Sequence, residues 1–245
     1  MNEKVDLSVI LPCYNEASHF EKSVEQIIAV LVGLRQKTEI IFVDDKSLDN
    51  TRELINNLIS EFRHKKVSLR RIFHEKNQGR GKAVSNGIMQ AKGKIVGFLD
   101  IDLEVPAYYI PEFANQIRNG ADVAIGHRIY AMQPATLHRW FASRGYNFLV
   151  RRLLNLKFSD TEAGYKFFKR EKILPILEKV RDQYWFWDTE ITWRCFEASL
   201  RIVEVPCLFL RRTDKKSTVR FFEDSIDYLI KILKFKKQLS SKKSI

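Results

Sequence analysis

Cysteine is scarce in this chain. Three residues in 245 are cysteine, and Cys13, Cys195 and Cys207 stand apart with no CxxC or Cys/His ligand spacing around them. An odd, dispersed set excludes a disulfide framework and a structural zinc site, and it fits a reducing cytoplasm. No run of about 18 apolar residues occurs, so no segment reads as a membrane-spanning helix. The start, Met1 to Asp6, leads into a short apolar stretch that Pro12 breaks, which is not a secretory signal. There is no linker rich in Pro, Gly or Ser, and no repeat at a period of about 20–50 residues. Glycine-built phosphate loops are missing as well. Gly79-Arg80-Gly81 opens like a dinucleotide-binding turn, but Val84 takes the place of the third glycine. A Walker loop fails too, because Ala83 follows Lys82 and Lys76 stands at the first glycine position. Any phosphate handled here needs a metal rather than a glycine cradle.

Hydrophobic residues make up 45% of the chain and charged ones 29%, which is the composition of a folded globular protein. The net charge of +12 is unevenly spread. Residues 1–125 hold 17 basic and 17 acidic residues, whereas 126–245 hold 25 basic and 13 acidic. An anionic surface or partner is therefore expected to meet the second half.

The first hundred residues alternate short apolar runs with helical spacing. Leu7–Leu11, Glu39–Val43, Val67–Phe73 and Ile95–Leu99 read as buried strands. Between them, residues 17–34 place Phe20, Val24, Ile27, Ile28 and Leu31 on one helix face. A second helix carries Leu54, Ile55, Leu58, Ile59 and Phe62, and a short one spans Gly81 to Ala91. This rhythm predicts an α/β fold, a mostly parallel sheet wrapped by helices. Further on, the pattern predicts a helix from Pro106 through Ile117 and a strand over Asp122–Gly126. A long basic helix over 136–156, an extended Gly164–Phe168, helices at 173–180 and 188–200, and a last strand at Ile202–Pro206 follow. We read residues 1–220 as one domain, with a donor half over 1–125 and an acceptor half over 126–220. Residues 221–245 then form a basic amphipathic C-terminal helix and tail.

Ligands of an open parallel sheet bind beyond the carboxyl ends of its strands. Here those ends carry Pro12-Cys13-Tyr14-Asn15-Glu16, Asp44-Asp45-Lys46-Ser47 and Asp100-Ile101-Asp102-Leu103-Glu104. Carboxylates gathered on one edge repel each other unless a cation joins them, and Mg²⁺ or Mn²⁺ suits oxygen ligands and substrate phosphates. Asp45 and Asp49 read equally well as helix caps. Two acids one apolar residue apart, straight after a buried strand, are poor capping material, so Asp100 and Asp102 are the stronger metal candidates.

Seven blocks in order resemble the signature of family-two glycosyltransferases. They are Leu11–Glu16, Val43–Thr51, Asn77–Val84, Phe98–Asp102, Gly126-His127-Arg128, Asp160–Phe168 and Trp187–Glu190. The later blocks are similar to the branch of polyprenyl- and dolichyl-phosphate glucose and mannose synthases. The resemblance implies the GT-A fold and an inverting, metal-dependent transfer of a hexose from a nucleotide sugar to polyprenyl phosphate. UDP-glucose is favoured slightly over GDP-mannose. It implies that Pro12, Tyr14, Glu16 and Asp44 hold the nucleotide sugar together with Asp100. Asp100 and Asp102 would bind the metal with Glu104 nearby, and Arg128 would meet the donor or acceptor phosphates. Asp188 takes a positional or base role, or simply caps a helix. Arg211, Arg212 and Ser217 resemble the family's flexible acceptor loop, or form a solvated turn. Lys46 replaces the commoner glycine and His127 the commoner serine.

A phosphate acceptor is already anionic and mainly needs arginines to position it, whereas a hydroxyl acceptor, the alternative, needs a general base. Residues 134–157 and 221–239 interleave basic with apolar side chains. In the second segment Phe222, Ile226, Leu229, Ile230 and Leu233 share one face. Both read as helices lying in a membrane interface, or as helices packed on their own domain with a solvated basic face. The expected partners are thus a nucleotide sugar, polyprenyl phosphate, and either the cytoplasmic face of a membrane or a separate membrane subunit. A nucleic-acid-binding protein would also explain the positive charge, but the Asp100/Asp102 pair argues against it.

Overall fold

The computed structural model describes residues 5–130, 145, 148–210 and 221–242, and the side chains of the last segment from 228 to 239. Seven strands form one sheet: β1 (Leu7–Cys13), β2 (Thr38–Asp44), β3 (Val67–Phe73), β4 (Ile95–Leu99), β5 (Val123–Tyr130), β6 (Tyr165–Lys169) and β7 (Ile202–Phe209). Their order is β3-β2-β1-β4-β6-β5-β7. β1 pairs parallel with β2 and β4, β2 with β3, and β5 with β7, while β6 runs antiparallel between β4 and β5. This is the mostly parallel α/β sheet that the alternating pattern predicts.

Every residue of β1, β2 and β4 is buried, as expected of central strands covered on both faces. The alternation of strand side chains divides the core into two layers. Leu7, Val9 and Leu11 meet Phe20, Val24, Ile27 and Leu31 of α1 (Phe20–Gly33), with Ile55 of α2 (Thr51–Glu61) and Phe113 of α4 (Ile110–Arg118) in the same layer. On the opposite face, Ile10, Ile41 and Phe98 meet Val84 and Ile88 of α3 (Arg80–Gln90), Ile173 of α6 (Arg170–Leu177), and Trp187 and Ile191 of α7 (Trp187–Glu197). A short helix α5, residues 148–154, lies between β5 and β6.

Strand β5 continues past the predicted end at Gly126 as far as Tyr130, which makes His127 and Arg128 strand residues. Strand β7 continues through Pro206 to Phe209. Proline is tolerated there because β7 is an edge strand.

The C-terminal helix α8 (Phe221–Lys242) buries Ile232 and Phe235 against Val150, Leu154, Leu156 and Phe186, with the Trp193 ring edge-on to Phe235 at 5.1 Å. Of the stripe expected from the sequence, Leu229, Ile230 and Leu233 are exposed. A single period-3.6 stripe is only part of this helix's apolar surface, because one side docks on the domain and another is left open. The predicted basic helix over 136–156 lies largely outside the described residues; within it the structure shows helix α5.

Candidate active site

The loops after β1 and β2 are stapled together. Asn15 takes a left-handed φ of 57°, its side chain accepts the Leu48 N–H at 2.7 Å, and its own N–H reaches Ser47 Oγ at 2.9 Å. The Glu16 N–H bonds Thr51 Oγ1 at 2.9 Å, and the Ala17 N–H bonds Asp49 Oδ2 at 3.0 Å. Asp49 therefore joins two loops and is drawn below its usual carboxylate range, hydrogen bonds outweighing burial. These staples set the backbone beneath Pro12, the exposed Tyr14 ring and the Glu16 carboxylate, which contacts His19 Nε2 at 2.7 Å. Asp44 is fully buried; its Oδ1 accepts from Arg52 Nε and the Ser47 N–H, while Oδ2 is buried without a hydrogen-bond partner. A buried acceptor of this kind costs free energy until a donor reaches it.

Asp45 has a different job. It accepts His74 Nδ1 at 2.7 Å and the N–H groups of Gln78 and Gly79 at 2.8 and 2.7 Å. Burial pushes its carboxyl up, but those bonds prevail and hold it low. They fix the entry to α3, where Gly79 has φ 97° and a Cβ would lie 2.4 Å from the Gln183 carbonyl oxygen. A Cβ on Gly81 would sit 2.4 Å from Trp187 Cβ. The two glycines let α3 start against the segment before α7, and this close approach delivers Arg80 into the cleft.

Arg80 bridges two acids from different halves of the chain. Its Nε and Nη2 lie 2.7 and 2.6 Å from Asp100 Oδ1, and its Nη1 lies 2.6 Å from Asp188 Oδ2. The other oxygen of Asp188 accepts Lys166 Nζ at 2.6 Å, and Lys166 also donates to the Ala163 carbonyl at 2.6 Å. Lys166 is fully buried, and burial holds its ammonium below its usual range against the pull of Asp188. Neither Arg80 nor Lys166 stood out in the sequence as a site residue. A lysine inside the apolar strand Tyr165-Lys166-Phe167-Phe168 is the signal, since a buried charge needs a partner.

Asp100 follows β4 directly, and its N–H bonds the Gly164 carbonyl at 3.1 Å. Gly164 is required here, because a Cβ on it would lie 1.8 Å from Asp100 Oδ2. Desolvation in the cleft pushes the Asp100 carboxyl up to about 6, with repulsion from Asp102 and Asp188 adding and Arg80 opposing. Asp102 follows on a turn that Leu103 completes with φ 54°, and its Oδ1 accepts the Glu104 N–H at 3.3 Å. Among the described residues no three His, Cys, Asp or Glu side chains surround one point, so Asp100, Asp102 and Glu104 are not a ready-made cage. Two mutually repelling carboxylates still fit a divalent ion such as Mg²⁺, which is commonly held by one or two carboxylates with substrate phosphates completing its shell.

Across the cleft, Arg128 forms a fork with Asp160: Nε to Oδ2 at 2.6 Å and Nη2 to Oδ1 at 2.9 Å. Its guanidinium lies 5.8 and 5.6 Å from the Tyr130 and Phe209 rings. Burial raises the Asp160 carboxyl, but Arg128 overcomes this and keeps it low. Glu162 Oε2 lies 3.7 Å from Arg128 Nη2. Glu190 is spent on structure, accepting the N–H groups of Arg181 and Asp182 and the Arg194 guanidinium. Arg211, Arg212 and Ser217 lie outside the described residues.

The chain is similar to several known proteins. The family model described as Glycosyl transferase family 2 matches residues 8–176. Glycosyltransferase AglD of Haloferax volcanii is 31% identical over 217 residues, covering 86% of this chain and 34% of that protein. A dolichyl-phosphate beta-glucosyltransferase of Trichomonas vaginalis is 24% identical over 230 residues, covering 88% of this chain and 67% of the other. The chain thus spans about one third of the first relative's length and two thirds of the second's. Among solved structures, glucosyl-3-phosphoglycerate synthase of Mycobacterium tuberculosis, in complex with Mn²⁺, UDP-glucose and phosphoglyceric acid, gives a TM-score of 0.69 at 18% identity, covering 95% of this chain and 80% of that one. That likeness is one of fold, the GT-A α/β fold. The family match runs from β1 into α6, well over half of the chain, and this chain belongs to glycosyl transferase family 2.

Proposed function

We propose that this chain transfers a hexose from a nucleotide sugar to a polyprenyl or dolichyl phosphate, with inversion at the anomeric carbon and with UDP-glucose preferred over GDP-mannose as donor. The observation that carries this reading is the charged cluster: Arg80 joins Asp100 to Asp188, Lys166 pairs the other oxygen of Asp188, and the ring-flanked Arg128 forks onto Asp160. The relative that acts on dolichyl phosphate supports the acceptor class.

In this reading Pro12, Tyr14, Glu16 and Asp44 hold the nucleoside, and the partnerless Oδ2 of Asp44 accepts a donor from it. Asp100 and Asp102, with Glu104 close by, would hold Mg²⁺ or Mn²⁺. A divalent ion there would neutralise the charge growing on the departing diphosphate as a Lewis acid. Arg80 keeps Asp100 in place, and Arg128 orients the acceptor phosphate, with Arg211, Arg212 and Ser217 following it in the acceptor loop. Asp188 is buried between two cations, which suits a positioning role. This speaks against the alternative hydroxyl acceptor, whose attack needs a carboxylate able to take a proton.

The chain is read as working on the cytoplasmic face of a membrane, bound peripherally or through a separate membrane subunit. No helix among the described residues is long and apolar enough to cross a bilayer. The helix 221–242, read as an appendage to the catalytic domain, leaves Leu229, Ile230 and Leu233 exposed beside Lys234, Lys236 and Lys237, as an interfacial helix does.

Radiolabelled transfer from a panel of nucleotide sugars onto polyprenyl phosphate tests this, with Mn²⁺, Mg²⁺ or EDTA. Metal-dependent label in the lipid phase supports the reading and names the sugar. Metal-dependent donor hydrolysis without lipid label refutes the acceptor assignment, and no metal effect refutes the role given to Asp100 and Asp102.

A further inference from the structure

Glu162 lies on the loop before β6, and its N–H is capped by Asp160 Oδ1 at 3.1 Å. The charged groups that face it come from four places: Arg128 on β5, Lys166 on β6, Asp188 on α7 and Asp160 on its own loop. Each cation already has a nearer acid. Arg128 is 2.6 Å from Asp160, and Lys166 is 2.6 Å from Asp188. Glu162 is left at 3.7 Å from Arg128, outside hydrogen-bond range, with its side chain 22% exposed to the cleft. Burial dominates its environment and pushes its carboxyl up to about 7, with Arg128 and Lys166 opposing and Asp160 and Asp188 adding.

We propose that Glu162 gates acceptor binding by its protonation: as the acid it donates a hydrogen bond to the phosphate seated on Arg128, and as the carboxylate it repels that phosphate. This rests on the phosphate-acceptor reading above. A protonated carboxyl carries an O–H donor, whereas an ionised one only accepts. A phosphate dianion on Arg128 would stand next to Glu162, and the two cations that face Glu162, Arg128 and Lys166, each already sit closer to another acid.

The test is the affinity of the full chain, loaded with Mn²⁺ and UDP, for farnesyl phosphate between pH 7 and 9. The second ionisation of a phosphate monoester, near pH 6, is largely complete over that range. With the acid form alone competent, the apparent Kd of the wild type rises about fifty-fold from pH 7 to pH 9. Glu162→Gln, which keeps a donor and cannot ionise, stays within about threefold. Glu162→Asp keeps a slope. In turnover, the pH dependence that Glu162→Gln removes lies in the acceptor KM and not in kcat. A wild-type affinity flat with pH, or the same slope in Glu162→Gln, overturns the proposal. UDP binding serves as the control for folding. If wild type and variant both bind UDP but neither binds farnesyl phosphate at any pH, the phosphate-acceptor reading fails and the gate falls with it.

Discussion

Replacing Lys166 with Met should destabilise the protein by an amount large for a single surface-neutral change in volume. Lys166 is fully buried and donates at 2.6 Å to both Asp188 Oδ1 and the Ala163 carbonyl. At that distance and an effective dielectric of about 20, the ion pair is worth roughly 6 kcal/mol in gross Coulomb terms, most of which desolvation of the two ions cancels. The net value of the pair is therefore small, but removing one member is a different matter. Asp188 then keeps Arg80 alone, and a buried carbonyl loses its donor. Such breakage typically costs about 3–5 kcal/mol. In a chain of 245 residues this lowers Tm by roughly 6–10 °C at about 2 °C per kcal/mol. Urea unfolding followed by circular dichroism measures the loss. Because the cost comes from a buried carboxylate that loses one of its two cations, the double variant Lys166→Met/Asp188→Asn should be more stable than the sum of the single changes implies, with a coupling of about 1–3 kcal/mol. A loss under about 1 kcal/mol for Lys166→Met, or strict additivity in the double variant, refutes the reasoning.

Asp102→Asn should weaken Mn²⁺ binding by more than the roughly 10–100-fold that outer-shell partners cost, read by paramagnetic resonance of free Mn²⁺. Gly164→Ala places a Cβ 1.8 Å from Asp100 Oδ2 and forces that carboxylate aside, so transfer should fall about 100-fold while far-ultraviolet dichroism is retained. Glu162 titrates near 7 when folded against about 4.5 when unfolded, so folding favours its protonated form. The stability it contributes is complete below pH 4.5 and lost as pH rises through 7, and Glu162→Gln should exceed wild type by about 2–3 kcal/mol at pH 8–9 in urea titrations. Replacing the exposed Leu229 and Leu233 with Glu should reduce binding to anionic vesicles more than tenfold and leave Tm within about 2 °C.

The acids at the strand ends were legible because their determinants are local. A buried apolar run leading straight into acids marks a strand end: Asp44 closes β2, and Asp100 and Asp102 follow β4. The length of β5 was not legible, because His127-Arg128 carries no apolar signal and its strand pairing is supplied by β7. The open face of α8 and its docked face could not be told apart, since both are apolar and only Val150, Leu154 and Phe186 decide which is covered. Arg80 escaped notice for a related reason. Flanked by two glycines it reads as loop, and its role depends on Asp188, more than a hundred residues away.

That dependence explains how one cleft can draw on both halves of the chain. Strand β6 runs antiparallel between β4 and β5, with Tyr165 opposite Leu99, so the chain before it arrives where β4 ends. Asp160, Glu162 and Gly164 are thereby carried to the edge that already holds Asp100. A parallel strand in that position would deliver its own carboxyl end there instead, and Lys166 would have no route to Asp188. Counting charges in the assembled cleft, the carboxylates of Asp100, Asp102, Asp160, Glu162 and Asp188 face the cations of Arg80, Arg128 and Lys166. Asp100, Asp160 and Asp188 each have a cationic nitrogen at 2.6 Å, whereas Glu162 stands 3.7 Å from Arg128. In the reading proposed above a divalent cation is held at Asp100 and Asp102 and a proton at Glu162, so metal titration and proton titration of the same variants should separate cleanly: Asp102→Asn changes the metal dependence and leaves the slope between pH 7 and 9, and Glu162→Gln does the reverse.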